Sequence, residues 1–352
     1  MRGFEAGLMT VAKSHLRKSL NRDESALRRG KVWVPAPLWA VDPVAAGVDQ
    51  RTLAMPEAFA RFAAPPVFIC GSARSGTTWT CDLFDRHPQV CAICESWLLS
   101  QTQGVTGVLA QPNWNPRVNE RWRQGIDVPV GAVELVSYEE MVRDLGSLVA
   151  KWLANKARAE HRFLIAKEFL DVRATSILFP EARFVHVIRD GRNVALSMRR
   201  AGGSWNPSMG ADMPIELHAE AWRRQLLNIR AHREYLGERY LEIRYEHMRA
   251  DVVGAMRTLF DFARIPYDEA LLERIRGQTE LSSYAEGARR SGFRGGGGNH
   301  TWREVFSASD AFRFSRAAGD LLVELGYEDG RRWLLSRLQP RGRRAAVRQE
   351  AR

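Results

Sequence analysis

Short runs of consecutive apolar residues alternate along this chain with longer stretches whose apolar positions recur every three or four residues. The short runs are Val67-Phe68-Ile69-Cys70, Phe163-Leu164-Ile165-Ala166, residues 182–188 and residues 241–245. An unbroken apolar run of this length predicts a strand buried on both faces. Helical spacing fills 77–87, 134–160, 190–200, 215–236, 252–263 and 308–325, with Pro88 closing the first. Strands separated by helices predict βαβ units. The expected fold class is α/β, three layers (α/β/α) around a central, mainly parallel sheet. In such sheets ligands bind beyond the carboxyl ends of the strands. The residues that follow each short run are therefore the candidates for chemistry.

Composition narrows the picture. A chain of 352 residues, 45% of them hydrophobic, can bury a core, and at ~150 residues per domain it holds two domains or one large domain with insertions. The formal charge of +11 is concentrated at the ends: residues 1–31 and 337–352 each carry a net +5, leaving +1 for the body. A nearly neutral body with basic tails does not fit a nucleic-acid-binding core. No apolar run reaches the ~18–20 residues of a membrane span, and the start lacks a secretory apolar segment. A cytoplasmic location is the expectation. Phe4, Leu8, Val11, Leu16 and Leu20 fall at near-helical spacing among basic residues. They read as a helix docked on its own domain, with a membrane-surface helix as the alternative. Cys91 and Cys94 form one CxxC among four cysteines. With no second pair to complete a zinc site, they read as buried thiols on a strand.

The first short run leads into Gly71-Ser72-Ala73-Arg74-Ser75-Gly76-Thr77-Thr78-Trp79. A strand, a loop with glycine at both ends and a helix start together make a phosphate cradle, because N–H groups at a helix N-terminus point at an anion. This places the fold in the P-loop nucleotide-binding type. The nucleotide triphosphatase form has Lys after the second glycine. Here Thr77 stands there and the cation is Arg74, inside the loop. The 182–188 run continues into Arg189-Asp190-Gly191-Arg192, with Ser197 two helical turns on. An arginine fork at a strand end suits phosphate oxygens; an ion pair with a neighbouring carboxylate is the alternative.

Arg-Ser-Gly-Thr-Thr-Trp after a strand, with Arg-Asp-x-Arg and Ser197 eight residues after Arg189, resembles the sulfotransferase family. Those enzymes take the sulfuryl group from 3′-phosphoadenosine 5′-phosphosulfate (PAPS). The resemblance continues through Arg244-Tyr245-Glu246, Trp302-Arg303, Gly319-Asp320-Leu321-Leu322 and Leu325-Gly326-Tyr327. It implies that Arg74, Ser75, Gly76, Thr77 and Thr78 hold the 5′-phosphosulfate and that Trp79 lies against the adenine. Arg189 and Ser197 would bind the 3′-phosphate and Tyr245 would contact the base. Arg290 or Arg294, with Arg294 preferred, would reach the 3′-phosphate from the loop at 285–301, which contains four consecutive glycines.

The resemblance also implies catalytic roles. Lys167 would contact the group in transfer, with Arg74 beside it. The cytosolic branch has a His two residues after this Lys; here Phe169 stands there. In the tyrosylprotein branch a Glu follows a His-Pro pair on the next strand. Glu95, after His87-Pro88, matches and is the expected base, with Glu168 as second candidate. A carboxylate opening a helix before Ser96 and Trp97 is the other reading of Glu95. No metal is expected. The implied organisation is a basic helix and lead-in over 1–65 and a sulfotransferase domain over 66–330, followed by a basic tail over 337–352. Within the domain, a helical insertion at 96–160 would shape the acceptor site, and 285–301 would be a loop. The expected partner is an acceptor with a free hydroxyl: carbohydrate, lipid, phenol, peptide or polyketide. The residues leave two alternatives open, a P-loop small-molecule kinase and a non-catalytic nucleotide-binding protein of the same fold.

Overall fold

The apolar runs supply four of the five strands of one sheet, and residues 90–94, not among those runs, the fifth, in a computed structural model that describes residues 53–100, 136–201, 213–280 and 302–334. The strands are β1 (Val67–Cys70), β2 (Val90–Cys94), β3 (Phe163–Lys167), β4 (Arg183–Ile188) and β5 (Tyr240–Arg244). All pairings are parallel, in the order β2-β3-β1-β4-β5. The chain leaves central β1 for the β2 edge, returns through β3, then crosses to β4 and β5. The loop after β1 therefore opens between the tips of β3 and β4, at the reversal of strand order where parallel sheets bind ligands.

The described helices used below are α1 (Thr77–Asp85), α2 (Tyr138–Ala154), α3 (Val172–Leu178), α4 (Gly191–Ala201), α5 (Ile215–Arg230), α6 (Tyr245–Ala250), α7 (Val252–Ala263), α8 (Glu269–Thr279), α9 (Trp302–Val305) and α10 (Ala308–Glu324). Periodicity located the long ones and capping set their ends. The Ser137–Glu140 capping box starts α2 at Tyr138, inside the 134–160 expectation. The 215–236 stretch is two pieces, α5 and a separate turn over Arg233–Leu236. The 241–245 run is shifted by one residue: β5 ends at Arg244 and Tyr245 opens α6. Short α3 and α6 had no readable period. The signal for α8 was its cap, Asp268, whose carboxylate accepts from Leu271 N at 2.7 Å.

Side chains alternate across the sheet and divide the core. Phe68, Cys91, Leu164 and Phe184 pack with α2 and α3 on one face. Val67, Ile69, Ala92, Ile165 and Val187 pack with α1, α7 and α8 on the other. A third cluster joins α4, α5, α9 and α10 around Trp222, which is buried as core. These are the three layers expected, with every strand pairing parallel. None of the described helices is long and apolar enough to cross a membrane. Residues 4–20, 285–301 and 337–352 lie outside the described residues.

The sheet and the cradle meet at Gly71, where φ is 156° and a Cβ would stand 2.6 Å from the Val187 carbonyl oxygen. Gly71→Ala should destabilise the protein by about 1–3 kcal/mol through overpacking. A urea titration should show the midpoint falling with the slope unchanged; an unmoved midpoint would mean that β1 and β4 separate there without cost.

Candidate active site

Beyond Gly71 the backbone closes a turn in which Ser75 N donates to Ser72 O at 3.0 Å. Gln225 of α5 anchors it by accepting from Ala73 N at 3.2 Å. Arg74 and Gly76 both adopt positive φ, 70° and 97°. A Cβ on Gly76 would lie 2.2 Å from the Tyr245 ring, so only glycine fits this approach. No side chain caps α1, and its first-turn N–H groups face the loop.

Four of the expected residues converge here. Arg74 Nε donates to Ser197 Oγ at 3.0 Å. Arg189 Nη1 donates to the Arg74 carbonyl at 3.1 Å, and its guanidinium lies 4.4 Å from the centre of the Tyr245 ring. No carboxylate pairs with Arg189 among the described residues. Burial and the neighbouring Arg189 charge lower the Arg74 pKa. Arg189 Nε and Ser75 Oγ are buried with no hydrogen-bond partner among the described residues. Two guanidiniums at close range with unsatisfied donors beside them form a site suited to an anion.

Trp79 Nε1 donates to Thr279 O at 3.2 Å, and its ring meets Tyr245 edge-on, centroids 5.8 Å apart. Arg249 lies 4.9 Å from the Trp79 centroid. A cleft of about 540 Å³, lined by Arg249, Asp251, Arg276, Thr279 and Glu280, opens beside it.

The tips of β2 and β3 supply the next pair. Lys167, 2% exposed, ion-pairs with Glu95, and its ammonium lies 4.2 Å from the centre of the Phe169 ring. Residues 96–100, which follow Glu95, are not helical; Glu95 has φ 59° and Trp97 has φ 63°. The turn is held by Glu168, whose Oε1 accepts from Ser96 N at 2.8 Å and Oε2 from Trp97 N at 3.0 Å. Burial raises the Glu168 pKa against these donors. Trp97, 40% exposed, stacks on Phe169 at 5.0 Å. Sequence reading missed this aromatic wall: Phe169 was noted only as standing where one branch has His, and the stack joins two strand ends far apart in the chain.

Other residues of the same motifs do scaffold work. Arg192, 1% exposed, pairs with Asp190 at 2.8 Å and with Glu328, and lies 3.8 Å from the Trp302 ring centre and 4.8 Å from that of Trp333. Trp302 Nε1 donates to Asp190 at 3.1 Å. Glu246 accepts from Asp190 N at 2.9 Å and from the Tyr327 hydroxyl at 3.1 Å. Arg244 donates to the Leu325 carbonyl. These contacts lock β4, α6, α9 and the end of α10 behind Arg189.

Arg290 and Arg294 lie outside the described residues. Of the CxxC pair, Cys91 is buried, but Cys94 is exposed, a correction to the reading of two buried thiols. Three residues apart on a strand, they face opposite sides of the sheet. No group of three or more His, Cys, Asp or Glu able to hold a metal occurs among the described residues.

Residues 65–269 match the family model described as "Sulfotransferase family". A curated relative, Protein-tyrosine sulfotransferase 1 of Danio rerio, is 25% identical over 216 residues, covering 59% of this chain and 55% of that protein. The match thus spans about half of the relative's length. Among solved structures, mouse sulfotransferase SULT7A1 complexed with PAP is 16% identical with a TM-score of 0.45, covering 78% of this chain and 89% of that one. The sulfotransferase domain from the Synechococcus PCC 7002 olefin synthase is 20% identical with a TM-score of 0.46, covering 77% and 98%. With the family model matched over more than half of its length, the chain belongs to the sulfotransferase family.

Proposed function

We propose that the protein transfers a sulfuryl group from PAPS to an acceptor hydroxyl by in-line displacement, with Glu95 as base. The observation that carries this reading is the convergence of Arg74, Arg189 and Ser197 on the glycine loop, one strand tip away from the Lys167–Glu95 pair. Ser75 Oγ and Arg189 Nε, buried without partners among the described residues, fit an anion with oxygens on several sides. The 5′-phosphosulfate would lie on the Gly76–Thr78 N–H groups and Arg74, the 3′-phosphate on Arg189 and Ser197, and the nucleoside beside Trp79.

The acceptor oxygen attacks sulfur and gives its proton to the Glu95 carboxylate while the bond from sulfur to the phosphate oxygen breaks. Lys167 and Arg74 offset the charge that gathers on the departing oxygen. Fixed cations cost no reorganisation during the reaction, so positioning and electrostatics supply most of the rate. Glu168 is assigned a positioning role, because both its oxygens are taken up by the Ser96 and Trp97 N–H groups. The acceptor's body would lie against the Trp97 face. The relative named above is a protein-tyrosine sulfotransferase by its name, which supports a hydroxyl acceptor here. The absence of a loop Lys after Gly76 speaks against a kinase.

3′,5′-adenosine bisphosphate should raise the melting temperature by a few degrees in EDTA, since ~2.7 kcal/mol is gained at 100 times Kd. A shift with magnesium-ATP and none with the bisphosphate would favour the kinase.

Glu95→Gln should lower kcat by about 10²–10⁴-fold and abolish the acid limb of the pH–rate profile, leaving bisphosphate binding intact. Unchanged turnover would move the base elsewhere.

Glu168→Gln gives a different signature. It leaves one turn N–H facing an amide NH₂, so the acceptor KM should rise while the acid limb persists. Loss of that limb would make Glu168 the base.

A further inference from the structure

Cys91 and Cys94, three residues apart on β2, cannot meet across the sheet. Cys91 packs with Phe68 and Leu164 on one face of the sheet. Cys94 has the opposite parity, that of Val90 and Ala92, which face α1. There it meets another cysteine. Cys81, in the second turn of α1 and 4% exposed, directs its thiol at the Ile93 carbonyl at 3.6 Å. Ile93 directly precedes Cys94, so the Cys81 thiol and Cys94 share the α1 side of β2 and influence each other's ionisation. Lys167 stands opposite Cys94 in the parallel register of β2 and β3. Of the four cysteines, Cys94 is exposed and Cys70, Cys81 and Cys91 are buried.

This pairing gives the two sulfurs different chemistry. Hydrogen bonding from Cys81, and then the Lys167 ammonium, bring the Cys94 pKa down to about 7, against the effects of burial and Glu95. The same bond to Cys94, together with burial, raises that of Cys81. One sulfur is exposed and loses its proton more readily than an ordinary thiol, and the other is buried on the same face of the sheet and keeps its proton more tightly. Reactive cysteines that form disulfides need both properties: a nucleophile that a reagent can reach and a second sulfur that only the first can reach. Neither side chain has a part in the sulfuryl-transfer reading above.

We propose that Cys94 and Cys81 form a hydroperoxide-sensitive modification site, in which Cys94 is oxidised first and Cys81 resolves it as an intramolecular disulfide. The Cys94 thiolate attacks one oxygen of a hydroperoxide, ROOH. The O–O bond breaks, giving Cys94 sulfenic acid and RO⁻, which takes a proton from water. The Cys81 sulfur then attacks the Cys94 sulfur. The S–S bond forms, the S–O bond breaks, and hydroxide leaves with the Cys81 proton as water. Sulfur is oxidised by two electrons in all, and the peroxide is reduced to alcohol and water. The new bond ties α1, whose first turn lies in the cradle, to the residue before Glu95. Oxidation would thus reach the anion site through the backbone.

The test uses the full chain and reads sulfur rather than activity, so it stands or falls separately from the sulfotransferase assignment. At pH 7, iodoacetamide should label Cys94 at least ~10-fold faster than Cys70, Cys81 or Cys91. Stoichiometric hydrogen peroxide, followed by denaturation and maleimide blocking, should give a chain lighter by two hydrogens before blocking. Its peptide map should contain a Cys81–Cys94 cross-link that dithiothreitol removes. Cys81→Ser should stop at a dimedone-reactive sulfenic acid on Cys94, and Cys94→Ser should show neither product. Thermal melts of both variants check that they fold, and the map of the unmodified sequence serves if they do not. Equal labelling of all four cysteines, or oxidation that yields only Cys91-containing or intermolecular bonds, overturns the proposal.

Discussion

Two guanidiniums, those of Arg74 and Arg189, are held together at the tip of the sheet by the backbone and Ser197. Burial first, and then the repulsion of the neighbouring Arg189 charge, lower the Arg74 pKa, so holding the two together has a cost. The arrangement persists because rigid parts impose it. Arg74 is fixed by the positive-φ loop, and Arg189 by the end of β4 and the Tyr245 ring beneath it. An anion placed between them relieves the repulsion and satisfies Ser75 and Arg189 Nε together. Such preorganised positive charge is what stabilises a charged group in transfer.

The scaffold behind the arginines explains why one four-residue motif holds such different side chains. Arg189 faces the cradle, whereas Arg192, three positions on, is buried in carboxylates and tryptophan faces. Asp190 receives Arg192 and the Trp302 indole, and Glu246 links the Asp190 backbone to Tyr327. Removing one partner of such a network would strand a buried charge at several kcal/mol, roughly 3–5 by analogy with other buried pairs. Chain segments more than a hundred residues apart therefore fix the direction in which Arg189 points.

On the opposite side of β1, the Glu95–Trp97 turn stores strain. Two non-glycine residues with positive φ cost on the order of 1–3 kcal/mol each. Glu168 offsets part of this through two backbone hydrogen bonds. The turn brings Glu95 onto Lys167 and lays Trp97 on Phe169, so one buried carboxylate sets both the ion pair and the aromatic wall. The cradle gathers two like charges and this turn joins two opposite ones, and the parallel register of β1, β2 and β3 gives each its own strand tip.

The sequence by itself determined the sheet and the place of the site. Unbroken apolar runs such as Phe163-Leu164-Ile165-Ala166 can be buried on both faces only in a covered parallel sheet, and a glycine-bounded loop after one of them must sit at a strand tip. The long helices were legible from their period, and α8 could have been found from the Asp268 cap. Four things were decided only by the tertiary structure: Arg189 and Arg192 take opposite roles, Glu168 holds backbone, Trp97 meets Phe169, and Cys94 shares a face with Cys81 rather than Cys91. The physical reason is common to all four. Local periodicity says which residues share a face of one strand or helix, but side chains brought together from different elements have no period between them. Their contacts exist only once strand order and register are set.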